Sequence, residues 1–193
     1  AWVRDHGVVV VTMNYRLAAL GSLTLDALDG GNYGFADQLE SLRWVKAHIG
    51  AFGGDSKHAL FWGQSSGANH ALWIPLIPRF KGLVKAVAAH SACAQPFLNP
   101  DCAMHDSPTA LSLAKSFAAR HNCTGDDAAI RSCLRAIPEA AVGVGADRPF
   151  IDGELLADLR RGVQRPRYQR IVGVRLQGAL AREVRPEHLA EAR

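Results

Sequence analysis

The pentapeptide Gly63-Gln64-Ser65-Ser66-Gly67 constrains the fold more than any other feature of this 193-residue sequence. It follows a short apolar run at residues 59–62 and precedes residues 68–74, which suit a helix that Pro75 ends. A serine between two glycines at such a junction predicts a sharp strand-to-helix turn, whose tightness crowds the residues beside its apex. We therefore expect the turn to require both glycines and to raise Ser65 above a sheet.

The same turn predicts chemistry at Ser65. A helix that begins directly behind the serine points its first N–H groups, including that of Ser66, to the place where a carbonyl oxygen becomes negative during acyl transfer. G-x-S-x-G in this context is the nucleophile elbow of α/β-hydrolases. We predict Ser65 as the nucleophile and the Ser66 backbone N–H as an oxyanion donor. The alternative, an ordinary loop serine, fits the flanking strand and helix poorly.

Apolar patterns along the chain alternate between strand and helix. Strands are predicted over residues 8–13, 59–62, 83–89 and 169–174, and helices over residues 35–49, 68–74, 109–119 and 126–136. Residues 8–13 are almost uniformly apolar, which is typical of a strand buried on both faces of a parallel sheet. The alternation predicts an α/β fold with right-handed crossovers.

Charge and composition exclude several function classes. Lys and Arg exceed Asp and Glu by 22 to 18, and most of the excess lies from Arg160 onward, which we interpret as a solvated tail and not as a nucleic-acid groove. Apolar runs are too short for a transmembrane segment. We find no metal-ligand spacing or cofactor motif, and therefore predict no metal and no cofactor.

Structural roles are predicted for four further residues. Asp55 is predicted to form a turn, and Trp44, Trp62 and Trp73 are predicted to line the core or a pocket.

Cysteine usage predicts a secreted or extracellular protein. Four cysteines, Cys93, Cys102, Cys123 and Cys133, lie close together without a Cys-x-x-Cys pair, so two local disulfides fit best. Asn122-Cys123-Thr124 is also an N-glycosylation sequon, which has meaning only in the secretory pathway. The alternative is a set of buried, reduced thiols with a chance sequon.

Several segments occur in an order that resembles one family. They are the run from Val8 to Leu17, Leu20-Gly21, Gly31-Asn32-Tyr33-Gly34, Asp37-Gln38, Leu42-Arg43-Trp44-Val45, Phe52-Gly53-Gly54-Asp55 and the elbow. In these the chain resembles the type-B carboxylesterase (carboxylesterase/cholinesterase) family over about residues 5–178, and Gln64 resembles its insect juvenile hormone esterases. The resemblance implies the central portion of an α/β-hydrolase fold. It also implies a disulfide between Cys123 and Cys133, whereas a bridge between Cys93 and Cys102 has family support only at Cys93.

The family resemblance also implies a Ser-Glu-His triad, which this sequence does not complete. Residues 173–179 occupy the acid's segment with Gln177 at the acid position. A glutamine cannot stabilise an imidazolium, and neutralising such an acid costs about 10⁴ in rate. Of the eight histidines only His188 follows this segment, too close to match the family, so it is predicted to be a surface residue. No catalytic histidine is therefore identified, and the family's glycine-rich oxyanion loop belongs upstream of residue 8.

These observations predict a partial carboxylesterase domain over residues 1–179 and a divergent tail over residues 180–193. We predict that the parent protein is a serine carboxylic ester hydrolase acting on a small-molecule ester, and that the chain alone is an inactive internal fragment. Two alternatives stay open. One is a non-catalytic cholinesterase-like adhesion or binding protein, favoured by Gln177, and the other is an inactive partial gene product.

Overall fold

A computed structural model of the chain describes residues 2–28, 31–93, 105, 107–142 and 174–175. The helices are α1 (Trp2–His6), α2 (Ala18–Ser22), α3 (Tyr33–His48), α4 (Ser66–Trp73), α5 (Ser107–Arg120), α6 (Asp127–Ala136) and α7 (Glu139–Val142). The strands are β1 (Leu60–Gln64), β2 (Ala86–His90) and β3 (Val174–Arg175), and 3-10 turns occur at Ile49–Phe52, Ile74–Leu76 and Pro78–Phe80. The described residues form two compact units, one within residues 1–12, 41–103 and 158–193 and the other within residues 13–40 and 104–157.

The three described strands form a parallel sheet in the first unit, with β2 in the centre. β1 pairs with β2 from Leu60 opposite Ala86 to Gln64 opposite His90, and β2 pairs in parallel with β3. Parallel strands bring their carboxyl ends to one edge of the sheet, where ligands bind in open α/β folds. Ser65 follows β1 and therefore lies at this edge.

Helix α4 packs on β1 and β2. Its buried residues Ala68 and Ala71 are small enough for the helix to approach the sheet closely, and Trp73 at the end of α4 is buried as well. Phe61 of β1 and Val87 of β2 are buried as well. The predicted strand, turn and helix around Ser65 are thus confirmed, although β1 continues to Gln64 and α4 begins at Ser66.

The strand predicted over residues 8–13 is wrong. These residues have no regular secondary structure, and Val8, Val9, Val10 and Val11 are between 41% and 55% exposed. A strand requires a hydrogen-bonded neighbour, and among the described residues the three-stranded sheet does not extend to this run. The apolar pattern of residues 8–13 therefore predicted strand pairing and burial that the structure does not show.

Two of the three tryptophans expected in the core or a pocket wall are exposed. Trp44 is 47% exposed, and its ring centroid lies 5.2 Å from that of His48 in the same helix and 5.8 Å from that of Phe52 in the 3-10 turn that follows, with the rings tilted. Trp62 is 59% exposed because side chains alternate along β1 and its neighbour Phe61 takes the buried face. Only Trp73, at 2%, is buried as predicted.

The longer helices agree with the sequence patterns. In α3 the predicted stripe is buried at Phe35, Leu39 and Leu42. The α-helix ends at His48, one residue before the predicted end at residue 49, and a 3-10 turn then continues to Phe52 and ends at the left-handed Gly53, with φ of 78°. The helices predicted over residues 109–119 and 126–136 are present as α5 and α6, whereas α1, α2 and α7 had no sequence signal that we recognised.

An ion pair holds the second unit together at the start of α3. The Arg16 guanidinium donates from Nε to Asp37 Oδ2 at 2.9 Å and from Nη2 to Oδ1 at 2.7 Å, and the Arg16 backbone N–H also donates to Oδ2 at 2.9 Å. The guanidinium lies 4.9 Å from the centroid of the Tyr33 ring. A Cβ added at Gly21 or Gly34 would collide with the Arg16 carbonyl oxygen. The Arg16–Asp37 ion pair thus fixes Arg16, and the Arg16 carbonyl oxygen leaves no room for a side chain at Gly21 or Gly34.

Replacing Asp37 with Asn is expected to destabilise the protein by about 1–2 kcal/mol at pH 7, a modest value because Arg16 is half exposed. The Arg16 guanidinium lowers the pKa of the Asp37 carboxyl, chiefly by hydrogen bonding. The stabilisation is therefore complete above the unfolded pKa of about 3.9 and is lost as the pH falls through the lower folded value. Urea unfolding at several pH values should show the gap between wild type and variant closing below pH 4, and a constant gap would contradict this.

Candidate active site

Ser65 occupies the turn between β1 and α4 in a strained conformation. Its φ is 54° and its ψ is −121°, a region in which a residue with a side chain persists only when its surroundings hold it. The Ser65 N–H donates to the His90 carbonyl at 3.0 Å, and the Ser65 carbonyl accepts from the N–H groups of Ala68 at 2.9 Å and Asn69 at 3.2 Å. These bonds fix the backbone, and Ser65 is exposed at the carboxyl edge of the sheet.

The two glycines of the pentapeptide have different roles. A Cβ added at Gly63 would overlap the carbonyl group of Gly67 and would lie 2.8 Å from the backbone nitrogen of Ala68. A Cβ at Gly67 would meet no heavy atom within 4 Å among the described residues, apart from its chain neighbours and the backbone of its own helix. The expectation that the turn requires both glycines is therefore right for Gly63 and wrong for Gly67, because the crowding acts in one direction, from the end of β1 onto the first turn of α4.

Ser66 is the first residue of α4 and is exposed beside Ser65. The first four N–H groups of a helix have no acceptor within the helix, and the helix dipole places positive charge there. This position provides what an oxyanion donor requires. The catalytic role of Ser65 and the donor role of the Ser66 N–H stay predictions.

The chain that follows β2 returns to α4. Ser91 has a positive φ of 54°, and its Oγ lies 3.5 Å from Nδ1 of the neighbouring His90. Two residues later, the Cys93 N–H donates to Oδ1 of Asn69 at 3.0 Å. Sequence reasoning missed both Ser91 and Asn69. No local sequence pattern marks Asn69.

His70 is part-buried in α4, one residue after Asn69. Its ring centroid lies 5.5 Å from that of Trp73. Burial lowers the pKa of His70 from 6.5 to about 4, because the interior disfavours the charged imidazolium. The imidazole is therefore neutral at pH 7.

Acid is expected to destabilise the protein through His70. The folded pKa lies below the unfolded value, so the stabilisation is complete above about pH 6.5 and is lost as the pH falls toward 4. The shift corresponds to about 3 kcal/mol once both values have been passed. Thermal unfolding between pH 7 and pH 4 should show a smaller acid-induced fall in midpoint for a His70→Phe variant than for the wild type. Equal slopes would mean that His70 titrates normally.

The disulfide between Cys123 and Cys133 is confirmed, with their Cα atoms 5.5 Å apart. It joins the turn after α5 to α6. Cys93 is also disulfide-bonded, and Cys102, its predicted partner, lies outside the described residues. Asn122 of the sequon is exposed in the turn after α5, with φ of 56°. Gln177, His188 and the tail over residues 180–193 also lie outside the described residues.

Asp55 forms the turn that the sequence predicts. Its Oδ1 accepts from the Lys57 N–H at 2.8 Å, and its Oδ2 lies 2.7 Å from Nδ1 of His58. These contacts lower the pKa of the Asp55 carboxyl, chiefly through the Lys57 N–H.

Within the described part of the chain, no three side chains of His, Cys, Asp or Glu come together as a metal site. The described helices include none whose length and hydrophobicity would let it cross a bilayer.

Comparison with known proteins supplies the family. Residues 2–150 match the model of the Carboxylesterase family. The chain belongs to the carboxylesterase family. A rat (Rattus norvegicus) bile salt-activated lipase is 40% identical over 130 residues, which are 66% of this chain and 20% of the lipase. The juvenile hormone esterase of Tribolium castaneum is 32% identical over 148 residues, which are 76% of this chain and 25% of the esterase.

Solved structures show the fold of this carboxylesterase chain. The crystal structure of juvenile hormone esterase from Manduca sexta, with OTFP covalently attached, aligns with a TM-score of 0.67 and 24% identity. The alignment covers 82% of this chain and 33% of that structure. The sheet and helices described above are therefore part of an α/β-hydrolase fold, as the sequence predicted. The chain spans between about a fifth and a third of the length of these similar proteins. The Tribolium castaneum relative is a juvenile hormone esterase, the kind of member that Gln64 resembles.

Proposed function

We propose that the whole protein is a carboxylic ester hydrolase in which Ser65 is the nucleophile. The observation that carries this proposal is the strained backbone of Ser65, with φ of 54°, in the turn from β1 to α4 of a carboxylesterase-family chain. Such strain in a non-glycine residue concentrates at functional sites, because the surrounding structure must compensate for it. A serine placed this way is free to approach a carbonyl carbon from above the sheet edge.

In the proposed reaction the Ser65 hydroxyl attacks the ester carbonyl, and its proton passes to a base. The tetrahedral oxyanion accepts a hydrogen bond from the Ser66 N–H at the start of α4. The base then gives the proton to the leaving oxygen, and loss of the alcohol leaves an acyl-enzyme, which water hydrolyses to release the acid and restore Ser65. We assign neither the base nor the acid to a described residue, and Gln177 at the acid position could not serve as the acid without a charge.

A small-molecule ester is the proposed substrate, and the secretory pathway the proposed location. The juvenile hormone esterase and the bile salt-activated lipase among the relatives support the substrate class. The Cys123–Cys133 disulfide supports an oxidising compartment. The exposure of Asn122 gives the sequon the accessibility that a glycan requires, so we propose a glycan there.

A fluorophosphonate probe tests the proposal directly. We expect the whole protein to be labelled once, with the adduct mapped to Ser65 by mass spectrometry of tryptic peptides. A Ser65→Ala variant should take up no label, and a Ser116→Ala variant, which removes an exposed serine on α5, should be labelled as the wild type is. A label that persists in Ser65→Ala would place the nucleophile elsewhere.

A second candidate function is non-catalytic binding through the same fold. The observation in its favour is Gln177, which removes the charge expected at the acid position. Folds of this kind keep their architecture when the site loses its chemistry. This candidate predicts a folded whole protein that neither takes up the fluorophosphonate at Ser65 nor turns over esters.

A further inference from the structure

We infer that Asn69 is a positioning residue for Ser65, which ties the start of α4 to the backbone that follows β2. This inference rests on the proposed function of Ser65. The backbone N–H of Asn69 donates to the Ser65 carbonyl at 3.2 Å, and its side-chain Oδ1 accepts from the Cys93 N–H at 3.0 Å. Asn69 therefore contacts both Ser65 and Cys93, in the segment that follows β2.

The contact at Asn69 closes a ring of hydrogen bonds around the nucleophile. On one side the Ser65 N–H donates to the His90 carbonyl at 3.0 Å, and on the other side Asn69 holds Cys93. Between these two points the chain bends at Ser91, whose φ is 54°. The bend brings the Cys93 N–H back toward α4, where the Asn69 amide oxygen receives it.

The ring contains two of the strained backbone positions of the chain, at Ser65 and Ser91. A strained residue returns to an ordinary conformation when its partners release it. Without the Asn69 side chain, the part-buried Cys93 N–H loses this hydrogen bond, and the backbone from His90 to Cys93 is held less firmly against α4. Because the His90 carbonyl holds the Ser65 N–H, that relaxation shifts the Ser65 hydroxyl relative to the Ser66 N–H.

A displacement of this kind acts on the rate of attack more than on substrate binding. Small misplacements of a reacting group lower the rate steeply, by up to about 10²-fold for 1 Å. We expect an Asn69→Ala variant of the whole protein to react with a fluorophosphonate about tenfold more slowly, with kcat reduced by a similar factor and KM unchanged. An Asn69→Asp variant keeps an acceptor oxygen at the same position and should recover most of the rate.

Asp126→Ala is the matched control. Asp126 caps α6 by accepting the Ala129 N–H at 2.8 Å, so this variant also removes one side-chain acceptor from one backbone N–H. It should lower the thermal midpoint as Asn69→Ala does, but leave the labelling rate unchanged. The inference is overturned if Asn69→Ala labels as fast as the wild type, if Asn69→Asp is as slow as Asn69→Ala, or if Asp126→Ala slows labelling equally. Failure of the proposed function is distinguishable, because then the wild type itself takes up no label at Ser65.

Discussion

Replacing Ser65 with Ala in the whole protein is expected to lower kcat for a p-nitrophenyl ester by about 10⁶-fold, as removal of the nucleophile does in other serine hydrolases. The reason is chemical. Without the hydroxyl no acyl-enzyme forms, and the remaining oxyanion donors accelerate only direct attack by water. Initial rates measured with purified wild type and variant, at substrate concentrations on both sides of KM, check this expectation.

The substitution is well matched, because alanine keeps the Cβ of serine. At φ of 54° both residues bear the same backbone strain, so the turn between β1 and α4 should be preserved. The thermal midpoint and the urea midpoint should therefore stay close to those of the wild type. Turnover that survives in a folded Ser65→Ala variant would show that the strained turn is structural and that another group performs the hydrolysis.

Sequence reasoning succeeded where short-range geometry decides the structure. The turn at Ser65 depends on residues within five positions of each other, and the buried stripe of α3 depends on a spacing that one helix alone imposes. The Cys123–Cys133 disulfide also spans only a turn and one helix. Each of these features could be predicted because its partners are close along the chain.

The expectation for Gly67 failed within the turn itself, whereas the other failures discussed here depend on a distant neighbour. The strand expected over residues 8–13 needed a partner strand, and Trp62 needed an element covering its face of β1. Burial of Trp44 likewise depended on whether another element packs on its face of α3, and helical spacing does not predict this. Asn69 could not be found from sequence because its partner, Cys93, lies 24 residues away.

Gln177, at the acid position of the expected triad, lies outside the described residues. The family resemblance put Gln177 at the acid position, in a segment at the end of a predicted strand, and the described residues Val174–Arg175 of that strand do pair with β2. That pairing brings the end of β3 to the same sheet edge as Ser65. The position of Gln177 itself is outside the described residues, so its lost charge stays a sequence observation.

Replacing Gly63 with Ala is expected to destabilise the protein by about 4 kcal/mol or more, enough to abolish folding of a marginally stable domain. The added Cβ would occupy the place of the Gly67 carbonyl group and approach the Ala68 backbone nitrogen to 2.8 Å. Both obstacles are backbone atoms of α4, so no side chain can rotate away to make room. Soluble yield and the urea midpoint of the purified variant measure the loss.

Gly67→Ala is the control, since in the part of the chain that the structure describes a Cβ there meets no heavy atom within 4 Å beyond its chain neighbours and its own helix backbone. In helix α4 an alanine is favoured over a glycine by about 1 kcal/mol, so this variant should be at least as stable as the wild type. Equal stability of Gly63→Ala and Gly67→Ala would mean that the first turn of α4 moves aside at little cost. Such a movement would change the position of the Ser66 N–H relative to the Ser65 hydroxyl. A folded Gly63→Ala protein is therefore still expected to lose turnover, whereas Gly67→Ala leaves the approach of β1 to α4 unchanged.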